Sequence, residues 1–117
     1  VTMRTVERKI NNIISDMQAC KITANRRPSK RDYVAADNGN VYAYLWGTLI
    51  AQVTEGTIAL YSGGYRTPTT KSRLNALLRL TGRPLYVYQK NFKWFVHDSQ
   101  LGESCEFFDG IAFFRAN

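Results

Sequence analysis

The chain has 117 residues, of which 44% are hydrophobic and 21% are charged. This length suits a single domain, 1–117, and the composition excludes a disordered tail. No segment approaches the roughly 18 uninterrupted apolar residues that a membrane span requires, so we expect no membrane partner. The basic N-terminal residues are not followed by an apolar region, so we expect no secretory signal.

The net charge of +7 is concentrated in two stretches of the chain. Residues 1–36 carry +5, and residues 63–95 hold seven basic side chains and no acidic one. Residues 37–62 and 96–117 are acidic, at −2 and −3. A stretch with seven cations predicts a positive surface potential and an anionic partner. The alternative is a basic surface that serves only solubility.

The N-terminal half of the chain predicts one helix and three strands. Apolar residues recur at helical spacing over residues 3–20, where they form a single stripe. Residues 21–31 are basic and contain a proline, so they are expected to be the least structured segment. Strands are expected at residues 41–46, 48–54 and 57–61. The helical stripe consists of Val6, Ile10, Ile13, Ile14 and Met17.

A second helix is predicted over residues 69–81. Its leucines, Leu74, Leu77 and Leu78, share one face that we expect to be buried. Gly82 is well placed to end the helix, and Pro84 prevents its continuation.

The C-terminal third predicts three further strands. A hairpin at residues 85–89 and 92–97 would turn at Lys90-Asn91, and a last strand at residues 107–114 would be interrupted at Asp109-Gly110. The order α-β-β-β-α-β-β-β predicts an α+β fold, an antiparallel sheet with two helices packed on it. An exposed C-terminal edge strand would let two copies pair, so a homodimer is one expectation.

Few residues are suited to catalysis or metal binding. The chain has one histidine, His97, and two cysteines, Cys20 and Cys105, and no catalytic signature surrounds any of them. Lone cysteines are more often small buried apolar residues. We therefore predict that the protein is not an enzyme and needs no cofactor or metal.

The segment from Ser62 to Asn75 is the most informative for function. Two glycines and a proline lead directly into a helix N-terminus, where unpaired N–H groups and the helix dipole favour an anion. Threonine hydroxyls and three cations surround the same point, so we predict one anion-binding surface there. The spacing is not that of a Walker A loop. The alternative is that the threonines only cap the helix.

Aromatic residues beside arginines and lysines are the second functional signal. Bases of single-stranded nucleic acids stack on such rings, while cations follow the phosphates. The alternative is that most of the rings line the two faces of a sheet. The predicted nucleic-acid-binding residues are Arg26, Arg27, Lys30, Arg31, Trp46, Tyr65, Arg66, Thr67, Thr69, Thr70, Lys71 and Arg73.

Four segments resemble a group of short accessory proteins of tailed bacteriophages that are generally left as hypothetical. They are residues 4–11 (RTVERKIN), 44–51 (YLWGTLIA), 62–77 (SGGYRTPTTKSRLNAL) and 108–111 (FDGI). In that group the second segment more often contains Tyr-Leu-His-Gly-Asn, whereas this chain has Trp46 and Thr48, which argues further against catalysis. The resemblance implies a phage protein made in the cytoplasm of an infected bacterium, a setting that agrees with two unpaired cysteines.

Two functions follow from these observations. The favoured one is a non-enzymatic phage accessory protein that binds DNA or RNA through a basic loop-helix surface. The alternative is an inhibitor that binds and blocks a host protein, of the anti-defence or anti-CRISPR type. Salt-dependent binding to nucleic acid distinguishes the two.

Overall fold

The computed structural model describes residues 3–21 and 23–116, which form two α-helices, one short 3-10 helix and nine strands. Among these residues, no helix combines the length and apolar character needed to cross a membrane. The elements are α1 (Thr5–Cys20), β1 (Ala24–Arg26), β2 (Asp32–Asp37), β3 (Asn40–Leu45), β4 (Thr48–Val53), β5 (Thr57–Leu60), α2 (Pro68–Leu78), the 3-10 helix (Arg79–Thr81), β6 (Leu85–Lys90), β7 (Lys93–Asp98), β8 (Glu103–Glu106) and β9 (Ile111–Phe114).

The strands form two antiparallel sheets rather than one. The larger sheet has the order β1-β2-β3-β4-β5-β9, and the smaller one has the order β6-β7-β8. Strand β9 therefore lies at an edge of the larger sheet, as expected for the C-terminal strand. Pairing of two copies through this edge stays a prediction. The α+β class with antiparallel sheets is confirmed.

Three strands, β1, β2 and β8, were not predicted. Strand β1 lies inside residues 21–31, so the segment expected to be the least structured does contain one short strand; Ile22 lies outside the described residues. The edge strands β1 and β8 are largely exposed and show no apolar alternation. Strand β2 does alternate, but its first buried position is an aspartate, Asp32, which conceals the pattern.

Both helices bury the predicted stripes. In α1 the buried apolar residues are Ile10, Ile14 and Met17, while Val6 and Ile13 pack at the margin of the core. Leu74, Leu77 and Leu78 of α2 are buried in the same core, as predicted. The helical segment ends at Gly82, whose φ of 70° is the left-handed conformation expected of a C-terminal cap.

The C-terminal third differs from the prediction in two places. The β6–β7 turn consists of Asn91-Phe92 rather than Lys90-Asn91, and both turn residues have positive φ. The last strand begins only at Ile111, since Phe107 still donates its N–H to the Trp94 carbonyl of β7 at 2.9 Å, and its buried ring lies 5.8 Å from that of Trp94.

Truncation of a leucine in α2 tests this core. We expect Leu77→Ala to lower the free energy of unfolding by about 2–5 kcal/mol, because the side chain is buried and its removal leaves a cavity. Urea denaturation followed by circular dichroism measures the change. Leu101→Ala, at an exposed leucine, should leave the midpoint nearly unchanged. Equal effects of the two substitutions would contradict the packing described.

Candidate functional site

An aromatic hairpin tip forms one side of the candidate site. Strands β3 and β4 are joined by Trp46-Gly47, whose φ values of 52° and 76° are those of a primed two-residue turn. Positive φ is uncommon for a bulky residue. The Trp46 N–H donates to the Arg31 carbonyl at 2.7 Å, and the Arg31 guanidinium lies 5.8 Å from the indole centroid. The basic loop before β2 is thereby attached to an exposed tryptophan.

The loop after β5 forms the opposite side. Gly63 has a φ of 63° and lies so close to Thr48 that a Cβ would collide with the threonine methyl group. Asp109 holds this loop, because its Oδ1 accepts the Ser62 N–H and hydroxyl, and its Oδ2 accepts the Gly63 N–H, each at 2.8 Å. Desolvation raises the pKa of Asp109, but these hydrogen bonds and the charge of Arg66 outweigh it and lower that pKa overall.

The first turn of α2 is capped by the chain itself. The Thr67 Oγ1 accepts the Thr70 N–H at 3.2 Å, and the Thr67 carbonyl accepts the Lys71 N–H at 3.0 Å. Pro68, at the first helical position, has no N–H to offer. The Thr70 N–H of the expected anion site is therefore already bonded to the capping threonine, as the capping alternative describes.

The hairpin tip and the loop after β5 border a cavity of about 520 Å³ that is open to solvent. Trp46 is 71% exposed and Tyr65 is 64% exposed. The cavity thus combines two large rings with several hydroxyl groups and an apolar floor. Of its lining residues, the sequence predicted Trp46, Tyr65, Thr67, Thr69 and Thr70 and did not predict Leu45, Thr48, Ile50 and Ser62.

The basic loop before β2 is exposed to solvent. Arg26, Arg27, Lys30 and Arg31 are all exposed. The guanidinium of Arg27 lies 5.2 Å from the Tyr33 ring centroid, so two arginines of this loop stack on aromatic rings. Through Arg31 the loop adds positive charge at the rim of the cavity.

Arg73 was wrongly predicted to lie on the anion-binding surface. Its side chain is 3% exposed and ion-pairs with Asp32 and Glu7, with its Nε 2.8 Å from Asp32 Oδ1 and its Nη1 2.9 Å from Glu7 Oε2. Desolvation lowers the pKa of Arg73, but its bonds to the two carboxylates outweigh it and raise that pKa overall. Arg73 is a buried structural cation. It is not available to a ligand.

The other two cations of the predicted surface diverge. The guanidinium of Arg66 lies 5.6 Å from the Trp94 ring centroid and 5.4 Å from that of Phe107. Lys71 lines a different cavity, of about 530 Å³, beside Tyr86. Arg66, Lys71 and Arg73 therefore do not form one surface, contrary to the prediction.

The groups considered for catalysis lie apart from this cavity. Cys20 and Cys105 are exposed rather than buried, so the expectation for lone cysteines was wrong. His97 Nδ1 lies 2.7 Å from Ser104 Oγ on an exposed sheet face. In the part of the chain that the structure describes, no three His, Cys, Asp or Glu side chains cluster as a metal site. The absence of enzymatic activity stays a prediction.

The Kyanoviridae Gp96 protein family matches residues 3–114. The chain belongs to this family. It is a family of phage proteins, so the resemblance to phage accessory proteins is confirmed at that level. Neither the curated proteins nor the solved structures gave a match.

Removal of the Asp109 charge tests how the cavity wall is held. We expect Asp109→Asn to be less stable than the wild type at pH 7, because the lowered pKa shows that the folded state favours the carboxylate. The contribution of the Asp109 carboxylate to the free energy of unfolding is present above its unfolded pKa of about 3.9. It is lost as pH falls through the lower pKa of the folded state. The difference in melting temperature between the wild type and Asp109→Asn should therefore become smaller below about pH 4. A difference independent of pH would contradict this account.

Substitution of Arg73 tests the buried ion cluster. We expect Arg73→Met to cost about 3–5 kcal/mol, because it leaves two buried carboxylates without a counter-charge. Lys71→Met removes a neighbouring cation that is not among the ion pairs of the cluster, so it should lower the free energy of unfolding far less. Denaturation midpoints of the two variants provide the comparison, and similar midpoints would contradict the assignment.

Proposed function

We propose that this phage protein is a non-enzymatic accessory protein that binds nucleic acid through the cavity between Trp46 and Tyr65 and through the basic loop of residues 26–31. The observation that carries the proposal is the convergence of two exposed rings on one cavity, with Arg31 stacked on one of them. We further propose that it acts in the cytoplasm of the infected bacterium.

The chemistry of the cavity suits a nucleotide. A volume of about 520 Å³ lies within the usual range of small-ligand sites. A base can stack on Trp46 or Tyr65, and the hydroxyls of Thr67 and Thr69 can hydrogen-bond to its edge or to the sugar. Phosphates on either side would then meet the exposed cations of the basic loop.

The distribution of charge supports an anionic ligand. Glu7 and Asp32 are buried with Arg73, so the cluster removes two negative charges and one positive charge from the surface. The surface is consequently more positive than the net charge of +7 indicates. Such a surface raises the association rate of a polyanion and makes binding depend on salt.

Inhibition of a host protein is the second candidate function. It is favoured by the exposed edge strands β1 and β8, whose backbones could extend a sheet of a partner protein. A basic inhibitor would require an acidic target surface. Capture of one dominant protein from a nuclease-treated bacterial lysate, with no binding to nucleic acid, would favour this candidate.

Fluorescence anisotropy with labelled 20-mers of dT, rU and duplex DNA over a series of salt concentrations tests nucleic-acid binding. We expect wild-type affinity to fall linearly in a log–log plot. Trp46→Ala should weaken binding about ten-fold with the slope unchanged, because a stacked base contributes about 1–3 kcal/mol. Arg27→Gln with Arg31→Gln should reduce the single-strand slope by about 1.4, at about 0.7 for each phosphate contact.

Two controls match these substitutions in chemistry. Leu101→Ala removes an exposed apolar side chain, and Lys9→Gln removes an exposed cation on α1. Both should bind like the wild type. Folded Trp46 and arginine variants that also bind like the wild type would overturn the proposed site, and a wild type that binds none of the three oligonucleotides at low salt would overturn the function.

A further inference from the structure

The outer face of the small sheet carries a cluster of rings. Tyr86 and Tyr88 of β6 and Phe95 and His97 of β7 point away from the core, while the residues between them point inward. The strand register places Tyr86 opposite His97 and Tyr88 opposite Phe95. The ring centroids of these pairs are 5.3 and 5.5 Å apart, and Tyr88 and Phe95 lie within 22° of parallel. We call these four residues the ring face.

Hydrogen bonds hold the ring face in a defined arrangement. The Tyr88 hydroxyl donates to Ser104 Oγ at 3.1 Å, and Ser104 Oγ lies 2.7 Å from His97 Nδ1. Tyr86 is 44% exposed, and the other three rings are half-buried. Rings fixed in this way lose little conformational freedom when a flat ligand stacks on them.

Positive charge lies at the turn end of the ring face. Lys90 and Lys93 are directly opposite each other on the same side of the sheet, an arrangement of like charges that destabilises a strand pair. No carboxylate within residues 3–21 and 23–116 forms an ion pair with either lysine. Tyr86 also lines the cavity of about 530 Å³ together with Lys71, at the β6 edge on the side of α2. A bound polyanion would relieve the repulsion between the paired lysines.

The β6–β7 turn and the edge strand β8 limit where such a ligand can lie. Phe92, between the two lysines, is 93% exposed and has a φ of 64°, so the turn presents an apolar ring to the surroundings. Glu106 of β8 lies directly opposite Phe95, so its carboxylate borders the ring face on the side away from β6. Its charge repels phosphates from that edge, so a bound strand would lie over β6 and β7 toward the lysine pair.

From this juxtaposition of stacked rings and terminal lysines we propose that the ring face is a second binding site, for an unpaired nucleic-acid strand. The proposal rests on the proposed function and specifies its substrate class. Bases can stack on the rings only when they are unpaired, because the bases of a duplex are already stacked on each other. The protein therefore binds single strands in preference to duplexes.

Tyr86→Ala with Tyr88→Ala tests the ring face in the anisotropy assay with dT and rU 20-mers and a duplex. We expect single-strand affinity to fall about ten-fold or more with the salt slope unchanged, and duplex affinity to stay the same. Tyr86→Phe with Tyr88→Phe keeps both rings and should restore wild-type affinity. Gln89→Ala, an exposed neighbour on β6, is the matched control.

The outcomes separate this proposal from the proposed function. Unchanged single-strand binding by the double alanine variant, or an equal loss on the duplex, overturns the ring face. If Trp46→Ala still weakens binding in that case, the proposed function of the cavity is retained. A wild type that binds no oligonucleotide overturns both proposals. If the alanine variant does not fold, photo-cross-linking of wild-type protein to 5-iodouracil-containing strands decides, because cross-links within residues 85–98 support the proposal and cross-links only elsewhere overturn it.

Discussion

The buried ion cluster of Arg73, Glu7 and Asp32 joins α2 to α1 and to the start of β2. Two carboxylates share one guanidinium, and the excess negative charge is offset locally, since Ser29 Oγ donates to Asp32 at 2.6 Å and Ser72 Oγ donates to Glu7 at 2.6 Å. Glu7 also lies in the first turn of α1, where the helix dipole favours an acid. Losing Arg73 would leave both buried carboxylates without a counter-charge, so the positions of all three elements depend on this one side chain.

Both walls of the cavity depend on this cluster. Asp32 directly follows Arg31, whose carbonyl and guanidinium engage Trp46, so fixing Asp32 places the basic loop beside the hairpin tip. Arg73 lies one helical turn after Thr70, so fixing it also places the threonines that line the opposite wall. The residue expected to bind an anion therefore contributes to the site by holding the elements that form it.

Sequence patterns predicted those features that depend on neighbours along the chain. The helices follow from apolar spacing, and the end of the second one follows from Gly82. The fate of Arg73 could not be predicted, because its partners are 41 and 66 residues away in the sequence. Trp46 and Tyr65 were brought together at one cavity, and both lie in short turns. Arg66, Lys71 and Arg73 were not brought together in this way. The loop and the helix that carry them direct their side chains to different parts of the molecule.

Helix α2 also sets the distance between the cavity and the ring face. Its first turn lines the cavity, and further along it Asn75 pairs with the backbone of Val87 on β6, accepting the N–H at 2.6 Å and donating to the carbonyl at 3.1 Å. Arg66, from the loop before α2, stacks on Trp94 of β7. Because α2 contacts both, the two proposed sites would keep their separation when a ligand occupies one of them. A strand long enough to reach both sites would then meet the second at a high effective concentration, so two weak stacking sites would suffice for tight binding of long strands.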